Sequence, residues 1–356
     1  MGGWIENKVF FSFKEDNEIT DSKINEILSE NTDRVQVDFY RQTLTPDAWK
    51  RLNEVFRQKP EIGLRLYGGL DTDLSILQYM PDIQNLSIES DEVRNVEQLI
   101  TLKDLKLLAF YVRNHADFKF FNMLQSPVEK LYLGTDEPKS AKYDISAITH
   151  LEQLNFLRIE RYNKQLPEII PQFKHLEELS LRSVAKLNDI EFIAQQKSLL
   201  KLRLDACGID NYEPLAQMSR LKALSMWRPV KLQTLDIVSE MTGLQFIFLQ
   251  TVNNPTVFPN IDRLTKLRRI VMYAMKSIRD FIAFENTTSL KEFCFYETST
   301  QQPEDFIPVF KNKSIEKINI WSLKSSYRTQ LENLMAQYGR QREYVNFLSD
   351  ADFEYE

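Results

Sequence analysis

The sequence predicts an α/β solenoid, in which short parallel strands alternate with short helices along most of the chain. Three observations predict this class. A unit of the form apolar-x-x-apolar-x-apolar recurs through the 356 residues, its spacing is nearly constant, and apolar residues three apart follow many of the units. The apolar-x-apolar step has the two-residue period of a strand, and apolar residues three apart have the spacing of a helical turn.

The spacing of the repeats is measured at the second apolar residue of each unit. These residues are Leu64, Leu86, Leu108, Leu131, Leu157, Leu179, Leu202, Leu224, Ile247, Ile270, Phe293 and Ile318. Successive members are 22, 22, 23, 26, 22, 23, 22, 23, 23, 23 and 25 residues apart. A period this regular indicates stacked supersecondary units that share one continuous core.

Each repeat is expected to contain a strand and a return segment. Side chains two residues apart lie on the same face of a strand, so each Leu-x-Leu step presents two apolar side chains to the core. Between strands, pairs such as Ile145 and Ile148, or Ile190 and Ile193, suit a helical turn with one buried side. Pro167, Pro214 and Pro259 fit the first turn of such segments, where a missing N–H costs little.

This pattern resembles that of leucine-rich-repeat proteins over roughly residues 60–323. The repeat length is similar to that of bacterial internalins and of a eukaryotic phosphatase regulator. The resemblance implies a right-handed, curved superhelix with a parallel sheet on its concave face and short α or 3-10 turns on its convex face. The family often carries Asn at the third position after the strand; here only Cys207 and Thr298 suit that position, so the asparagine ladder is largely absent.

The two ends of the chain are expected to cap the repeats, because terminal repeats otherwise expose core. The predicted division is an N-terminal cap over 1–60, a solenoid over 61–323, and a C-terminal helical cap with an acidic tail over 324–356. Helices are predicted over 21–30, over 46–58 with Thr45 as N-cap, and over 326–338 with Gly339 as the stop. The acidic residues 350–356 are expected to be loose.

The composition argues against several classes of function. The net charge is −6 and the pI about 5.4, whereas nucleic-acid-binding proteins usually carry a basic footprint. The three histidines belong to no zinc motif, and the phosphate-binding and nucleophile-elbow motifs are missing. We therefore expect no enzymatic activity, no cofactor and no metal.

The cysteines and the hydropathy pattern indicate a compartment. Cys207 and Cys294 are the only cysteines and are far apart, so a disulfide framework is not expected. The sequence shows neither a signal peptide nor an apolar run of membrane-spanning length. The prediction is a cytoplasmic protein that is a monomer on its own, with neither a membrane nor a nucleic acid among its partners.

A candidate binding surface follows from the strand alternation, since residues that flank the inward apolar positions point to the concave face. Aromatic and arginine side chains, the types enriched at binding hot spots, are frequent there. The candidate partner-binding residues are Tyr132, Arg158, Arg182, Arg203, Trp227, Phe246, Phe248, Tyr273, Tyr296 and Trp321. The alternative is that the aromatic side chains pack on neighbouring strands and that the charges satisfy one another.

The predicted function is a non-enzymatic scaffold that binds a protein ligand on its concave face. Within this class, a bacterial toxin-neutralising immunity protein and a regulatory subunit are both open. A glycan-binding module is the alternative, because exposed aromatic strips also stack on sugars. The long steps after Leu131 and Phe293 carry insertions that offer a second candidate edge for binding.

Overall fold

The structure is a computed structural model that describes residues 9–13, 19–29, 32–38, 44–298, 300–345 and 353–356. The chain divides into two compact units, and the boundary lies between Leu176 and Glu177. Each unit is built from parallel strands that are hydrogen-bonded in chain order, with short helices in the connections.

The described part of the first unit contains seven parallel strands. They are β1 (Val9–Phe13), β2 (Thr32–Asp38), β3 (Gly63–Asp73), β4 (Asn85–Arg94), β5 (Leu107–Val112), β6 (Lys130–Gly134) and β7 (Phe156–Glu160). The sequence pattern identified β3 to β7, whereas β1 and β2 lie before the first repeat of the measured series.

The described part of the second unit also contains seven parallel strands. They are β8 (Glu178–Arg182), β9 (Lys201–Asp205), β10 (Ala223–Trp227), β11 (Phe246–Gln250), β12 (Arg269–Tyr273), β13 (Glu292–Tyr296) and β14 (Lys317–Trp321). All seven have five residues and pair without a register shift in the pairs from β8 to β14.

Most connections contain short helices, as the apolar spacing predicted, but the connection between β11 and β12 contains none, so the helical turn expected at Pro259 does not form. The α-helices are α1 (Asp21–Ser29), α2 (Pro46–Gln58), α3 (Leu166–Ile169), α4 (Glu191–Ala194), α5 (Ile307–Lys311) and α6 (Ser325–Gln337). The 3-10 helices are Leu74–Tyr79, Val96–Thr101, Lys119–Met123, Pro138–Lys142, Ser146–His150, Ile170–Gln172, Glu213–Gln217, Asp236–Glu240, Ile282–Phe284 and Pro303–Phe306. Among the described residues, no helix is both long and apolar enough to cross a lipid bilayer.

The core lies where the repeat pattern placed it. All twelve residues used to measure the repeat, from Leu64 to Ile318, lie on β3 to β14 and are buried. Aromatic side chains fill the space between β13 and its connecting helices, where Phe281, Phe284, Phe293, Phe295 and Phe306 are all at most 1% exposed. Each repeat therefore buries its apolar residues against its neighbours, as a solenoid requires.

The terminal helices agree with the sequence prediction. In α2, the Thr45 hydroxyl accepts a hydrogen bond from the Ala48 N–H at 3.2 Å, the expected N-cap contact. Helix α6 ends before Gly339, whose φ of 67° is the left-handed conformation that glycine adopts without steric cost. The predicted domain limits at residues 60 and 323 remain predictions.

Side chains that bridge consecutive repeats replace the missing asparagine ladder. The Cys207 thiol donates to the Leu181 carbonyl at 3.3 Å. The Gln301 amide nitrogen donates to the Met275 and Ile278 carbonyls, both at 2.7 Å. Asn312, in the same connection as Gln301, makes a similar pair of contacts, at 2.7 Å to the Phe284 and Thr287 carbonyls. These bonds satisfy buried backbone carbonyls that would otherwise lack donors.

The chain leaves most strands of the second unit through one residue in a left-handed conformation. The residues are Ser183, Ala206, Arg228, Thr251, Ala274 and Glu297, with φ between 50° and 57°. The amide of the exit residue then reaches the next strand; for example, the Ala274 N–H donates to the Tyr296 carbonyl at 2.9 Å. None of the six is glycine, so their residue types did not predict this geometry.

We expect Ala274→Gly to raise the free energy of unfolding by about 0.5–1 kcal/mol. Glycine removes the strain of the left-handed conformation in the folded state, and this gain exceeds the cost of the greater backbone entropy of glycine in the unfolded state. Thermal unfolding followed by circular dichroism measures the effect. As a control, Ala223→Gly on extended β10 is expected to lower the stability. A loss of stability in both variants contradicts the prediction.

Candidate functional site

The candidate site lies on the outer face of the strands of the second unit. On each strand, the side chains that alternate with the buried apolar residues point to this face. Because the strands are in register, these side chains form three rows. The amino-end row is Glu178, Lys201, Ala223, Phe246, Arg269, Glu292 and Lys317. The middle row is Ser180, Arg203, Ser225, Phe248, Val271, Cys294 and Asn319. The carboxyl-end row is Arg182, Asp205, Trp227, Gln250, Tyr273, Tyr296 and Trp321.

The carboxyl-end row contains three accessible aromatic side chains. Trp227, Tyr273 and Trp321 are half-buried, whereas Tyr296 is buried. The Arg182 guanidinium lies 5.8 Å from the Trp227 ring centre, within the range of a cation–π contact. The row therefore exposes flat apolar surfaces that neighbouring side chains hold in place.

A pocket of about 550 Å³ opens at the C-terminal end of this row. It is lined by Tyr273, Tyr296, Glu297, Asn319, Trp321, Arg342 and Tyr344. Its volume is in the range of pockets that hold small ligands or single side chains of a partner. An arginine and a glutamate next to three tyrosines and a tryptophan suit a ligand group that is apolar with a polar edge.

Hydrogen bonds fix the tyrosines of the pocket. The Tyr273 hydroxyl donates to the Glu297 carboxylate, and this bond raises the pKa of Tyr273 to about 12. The Tyr296 hydroxyl donates to the Val345 carbonyl at 3.1 Å and accepts from the Asn319 amide at 2.8 Å. Burial raises the pKa of Tyr296 as well. Both phenols therefore stay neutral at physiological pH.

The charged residues on this face pair with one another. Arg203 donates to the Asp205 carboxylate at 2.7 Å, and Lys201 lies 3.1 Å from the Glu178 carboxylate. Glu292 forms ion pairs with both Arg269 and Lys317. The alternative interpretation, in which the charged side chains satisfy one another, therefore accounts for these residues.

The chain's own residues 353–356 cover part of the amino-end row. The Phe353 ring lies 5.6 Å from the Phe246 ring, and the Tyr355 ring lies 4.6 Å from the Lys201 ammonium. The expectation that the acidic tail is loose is therefore wrong for these four residues. It failed because their contacts are with strands more than eighty residues away, which no local pattern reveals.

Two of the candidate residues, Tyr132 and Arg158, lie in the first unit. Tyr132 is buried against Phe156, with their ring centres 4.6 Å apart, in a cluster that also contains Leu107 and Ala109. Arg158 is buried, and its guanidinium is 3.6 Å from the Glu160 carboxylate. Both side chains lie on the outer face of their strands, as predicted, but they are packed there.

The structure brings the other eight candidate residues onto one face of the second unit. Arg203 is exposed, Arg182 and Phe248 are partly exposed, and Phe246 is buried beneath Phe353. Sequence reasoning missed Arg342, Tyr344, Phe353 and Tyr355, which follow α6 and return to the outer face. The aromatic content of residues 344–355 was the available signal. The assignment of all ten residues to partner binding remains a prediction.

Metal-ligating side chains and cysteine thiols are the reactive groups of interest among the described residues. No three metal-ligating side chains among them converge on a common point. Burial raises the pKa of the Cys207 thiol to about 12, which keeps it protonated and a poor nucleophile at neutral pH. The surface instead provides rigid aromatic side chains and paired charges.

Comparisons with known proteins reveal likeness in structure alone. No family model matches the sequence, and no curated protein matches it. An internalin from Listeria monocytogenes aligns with 92% of this chain and 90% of its own at 18% identity, with a TM-score of 0.53. A leucine-rich-repeat protein from Leptospira interrogans aligns with 90% of this chain and 86% of its own at 14% identity, with a TM-score of 0.40. The internalin likeness shows the fold and confirms the predicted solenoid.

Proposed function

We propose that this leucine-rich-repeat chain is a non-enzymatic module that binds a protein partner through the carboxyl-end row of its second unit. The observation that carries the proposal is the partly exposed series of Trp227, Tyr273 and Trp321, which ends at the pocket of about 550 Å³. Tryptophan, tyrosine and arginine are the residues on which protein binding most often depends.

The rigidity of the row supports this role. Each aromatic residue is the last residue of a strand paired on both sides, or on one side for Trp321, so its backbone is already ordered before a partner arrives. Neighbouring side chains restrict the rings further, through the cation–π contact on Trp227 and the Tyr273–Glu297 hydrogen bond. A preordered surface loses little conformational entropy on binding, so more of the contact energy contributes to affinity.

A partner that fits this row presents apolar side chains to Trp227 and Tyr273 and one apolar group with a polar edge to the pocket. Toxin neutralisation and regulation of an enzyme are both hypotheses within this proposal, and the identity of the partner distinguishes them. The cytoplasmic location and the monomeric state likewise remain predictions.

The test is affinity capture from the lysate of the source organism with wild type and with Trp227→Ala/Tyr273→Ala. We expect the double variant to lose the partner, with at least about a tenfold lower affinity, because truncating two hot-spot residues removes more than 1.4 kcal/mol. Binding of the captured protein is then measured by calorimetry, and circular dichroism confirms that the variant is folded.

The matched control is Val257→Ala/Ile282→Ala, which removes two exposed apolar side chains outside the outer face. It is expected to retain the partner at wild-type affinity. A partner that both double variants retain equally contradicts the proposed site. Binding of a glycan that Trp227→Ala/Tyr273→Ala abolishes, without any captured protein, favours the glycan-binding alternative instead.

A further inference from the structure

The amino-end row of the second unit and the residues beside it form a surface, called the groove below, on which residues 353–356 of the same chain pack as a short peptide. Phe353 and Tyr355 pack on an apolar cluster that includes Ala223, Phe246 and Val271. Both aromatic side chains are half-buried, whereas the intervening Glu354 is exposed. This alternation is that of an extended peptide with one face on the protein.

Four cationic side chains lie beside the acidic peptide, and two of them, Arg269 and Lys201, also pair with Glu292 and Glu178. The Arg269 guanidinium lies 5.3 Å from the Phe353 ring centre, and Lys201 lies over the Tyr355 ring. Lys222 donates to the main-chain oxygen of Glu356, and Arg268 lies 3.3 Å from its side-chain carboxylate. Opposite charges along the two surfaces favour an acidic segment over a basic one.

The groove also binds the peptide backbone. The Gln245 side-chain amide donates to the Glu356 carbonyl at 3.3 Å, and its oxygen accepts from the Glu356 N–H at 2.9 Å. Gln245 is buried, which fixes the orientation of this amide. A paired backbone contact of this kind suits any extended peptide, so selectivity falls to the aromatic and acidic side chains.

The resident segment is only partly covered by the surface that holds it. Arg268 forms an ion pair with a Glu356 side chain that is 68% exposed, and exposed pairs contribute little stability. The two aromatic side chains remain partly open to solvent. A partner peptide that makes the same contacts and also reaches the carboxyl-end row gains area that residues 353–356 do not use.

We propose that this groove binds an extended acidic segment of a partner protein with two aromatic residues separated by one residue, and that residues 353–356 are its displaceable resident. The inference rests on the proposed function and deepens it, since it names the chemistry that the partner presents to the amino-end row. The resident segment then lowers the apparent affinity for the partner, because the site is free in only a fraction of molecules.

The test uses the full chain in two forms, wild type and Phe353→Ala/Tyr355→Ala, with a synthetic peptide of sequence Asp-Ala-Asp-Phe-Glu-Tyr-Glu as the probe. Peptide binding is followed by NMR titration up to millimolar concentrations. We expect the double variant to bind the peptide at least about tenfold more tightly than wild type, because a tethered competitor acts at a millimolar effective concentration. A Tyr355→Ala chain is expected to be intermediate and provides a second, milder variant.

Two further measurements locate the binding. In the double-variant background, Lys222→Glu is expected to weaken peptide binding about tenfold through loss of one cation and gain of a repulsive charge. The control Lys231→Glu, on the loop after β10, is expected to leave it unchanged. A peptide with alanine at both aromatic positions is expected not to bind.

Equal affinity of wild type and the double variant overturns the inference, as does the absence of binding to the double variant at millimolar peptide. Neither result bears on the carboxyl-end row, which the Trp227→Ala/Tyr273→Ala capture experiment tests without the peptide. The two proposals can therefore fail separately.

Discussion

Replacing Phe293 with alanine is expected to lower the free energy of unfolding by about 3–5 kcal/mol, the usual cost of deleting a fully buried aromatic side chain. Phe293 is 0% exposed on β13, and its ring centre lies 5.1 Å from that of Phe284 and 6.1 Å from that of Phe281. Both partners belong to the same repeat's return segment, so the substitution removes the contact between strand and connection. Urea unfolding followed by circular dichroism measures the change.

The large effect arises because Phe293→Ala leaves a cavity that the surrounding side chains cannot fill. Phe281, Phe295 and Phe306 also contact one another, and they cannot all move to fill the space without breaking these contacts. The control is Ile282→Ala, whose side chain is 56% exposed on the adjacent 3-10 helix. It is expected to cost less than about 1 kcal/mol, because surface substitutions rarely cost more. Equal losses in the two variants contradict this account of the core.

Arg340→Ala is expected to lower the free energy of unfolding by about 2–3 kcal/mol, because hydrogen bonds to charged groups contribute more than neutral ones and the freed carbonyls lose their donor. The Arg340 guanidinium donates to the Phe310 carbonyl at 3.1 Å, to the Ile315 carbonyl at 2.9 Å, and to the Asn312 carbonyl. These three carbonyls lie between α5 and β14 or at their ends, so one side chain fixes the last return segment. Burial lowers the pKa of Arg340 from its ordinary value.

The geometry of the guanidinium, and not the charge alone, is expected to produce this stability. Arg340→Lys keeps the charge, but a single ammonium cannot reach three separate carbonyls, so we expect it to recover less than half of the loss. Arg342→Ala removes an exposed arginine two residues away and is expected to be neutral. Chemical denaturation of the three variants beside wild type gives the comparison. A lysine variant as stable as wild type contradicts the proposed role of the fork.

The candidate site could be predicted in part. The placement of Trp227, Tyr273 and Trp321 on one face followed from the alternation of strand residues, and the register of β10 to β14 aligned them in one row. Their exposure could not be predicted. Phe246 faces outward like the others, yet it is 4% exposed because Phe353 packs on it.

The left-handed strand exits and the bridging amides were not predictable for a different reason. Ala274 and Arg228 are residue types that rarely adopt a positive φ, so their conformation is imposed by hydrogen bonds to the neighbouring strand. Gln301 and Asn312 are polar residues in connecting segments, which in sequence look the same as solvent-exposed ones. Only the position of the carbonyls of the preceding repeat makes them buried donors.

The sequence by itself determined the number and spacing of the repeats from β3 onward, the inward apolar residues and the outward-facing residues of each strand. These features depend on side-chain alternation within a few residues and on a period repeated many times, so local information suffices. Tertiary structure alone decided which outward side chains are covered, where the pocket opens and what occupies the amino-end row. Those outcomes depend on contacts such as that between Gln245 and Glu356, which are 111 residues apart. The contact between these two residues depends on how the whole second unit folds, and no sequence pattern near either residue contains that information.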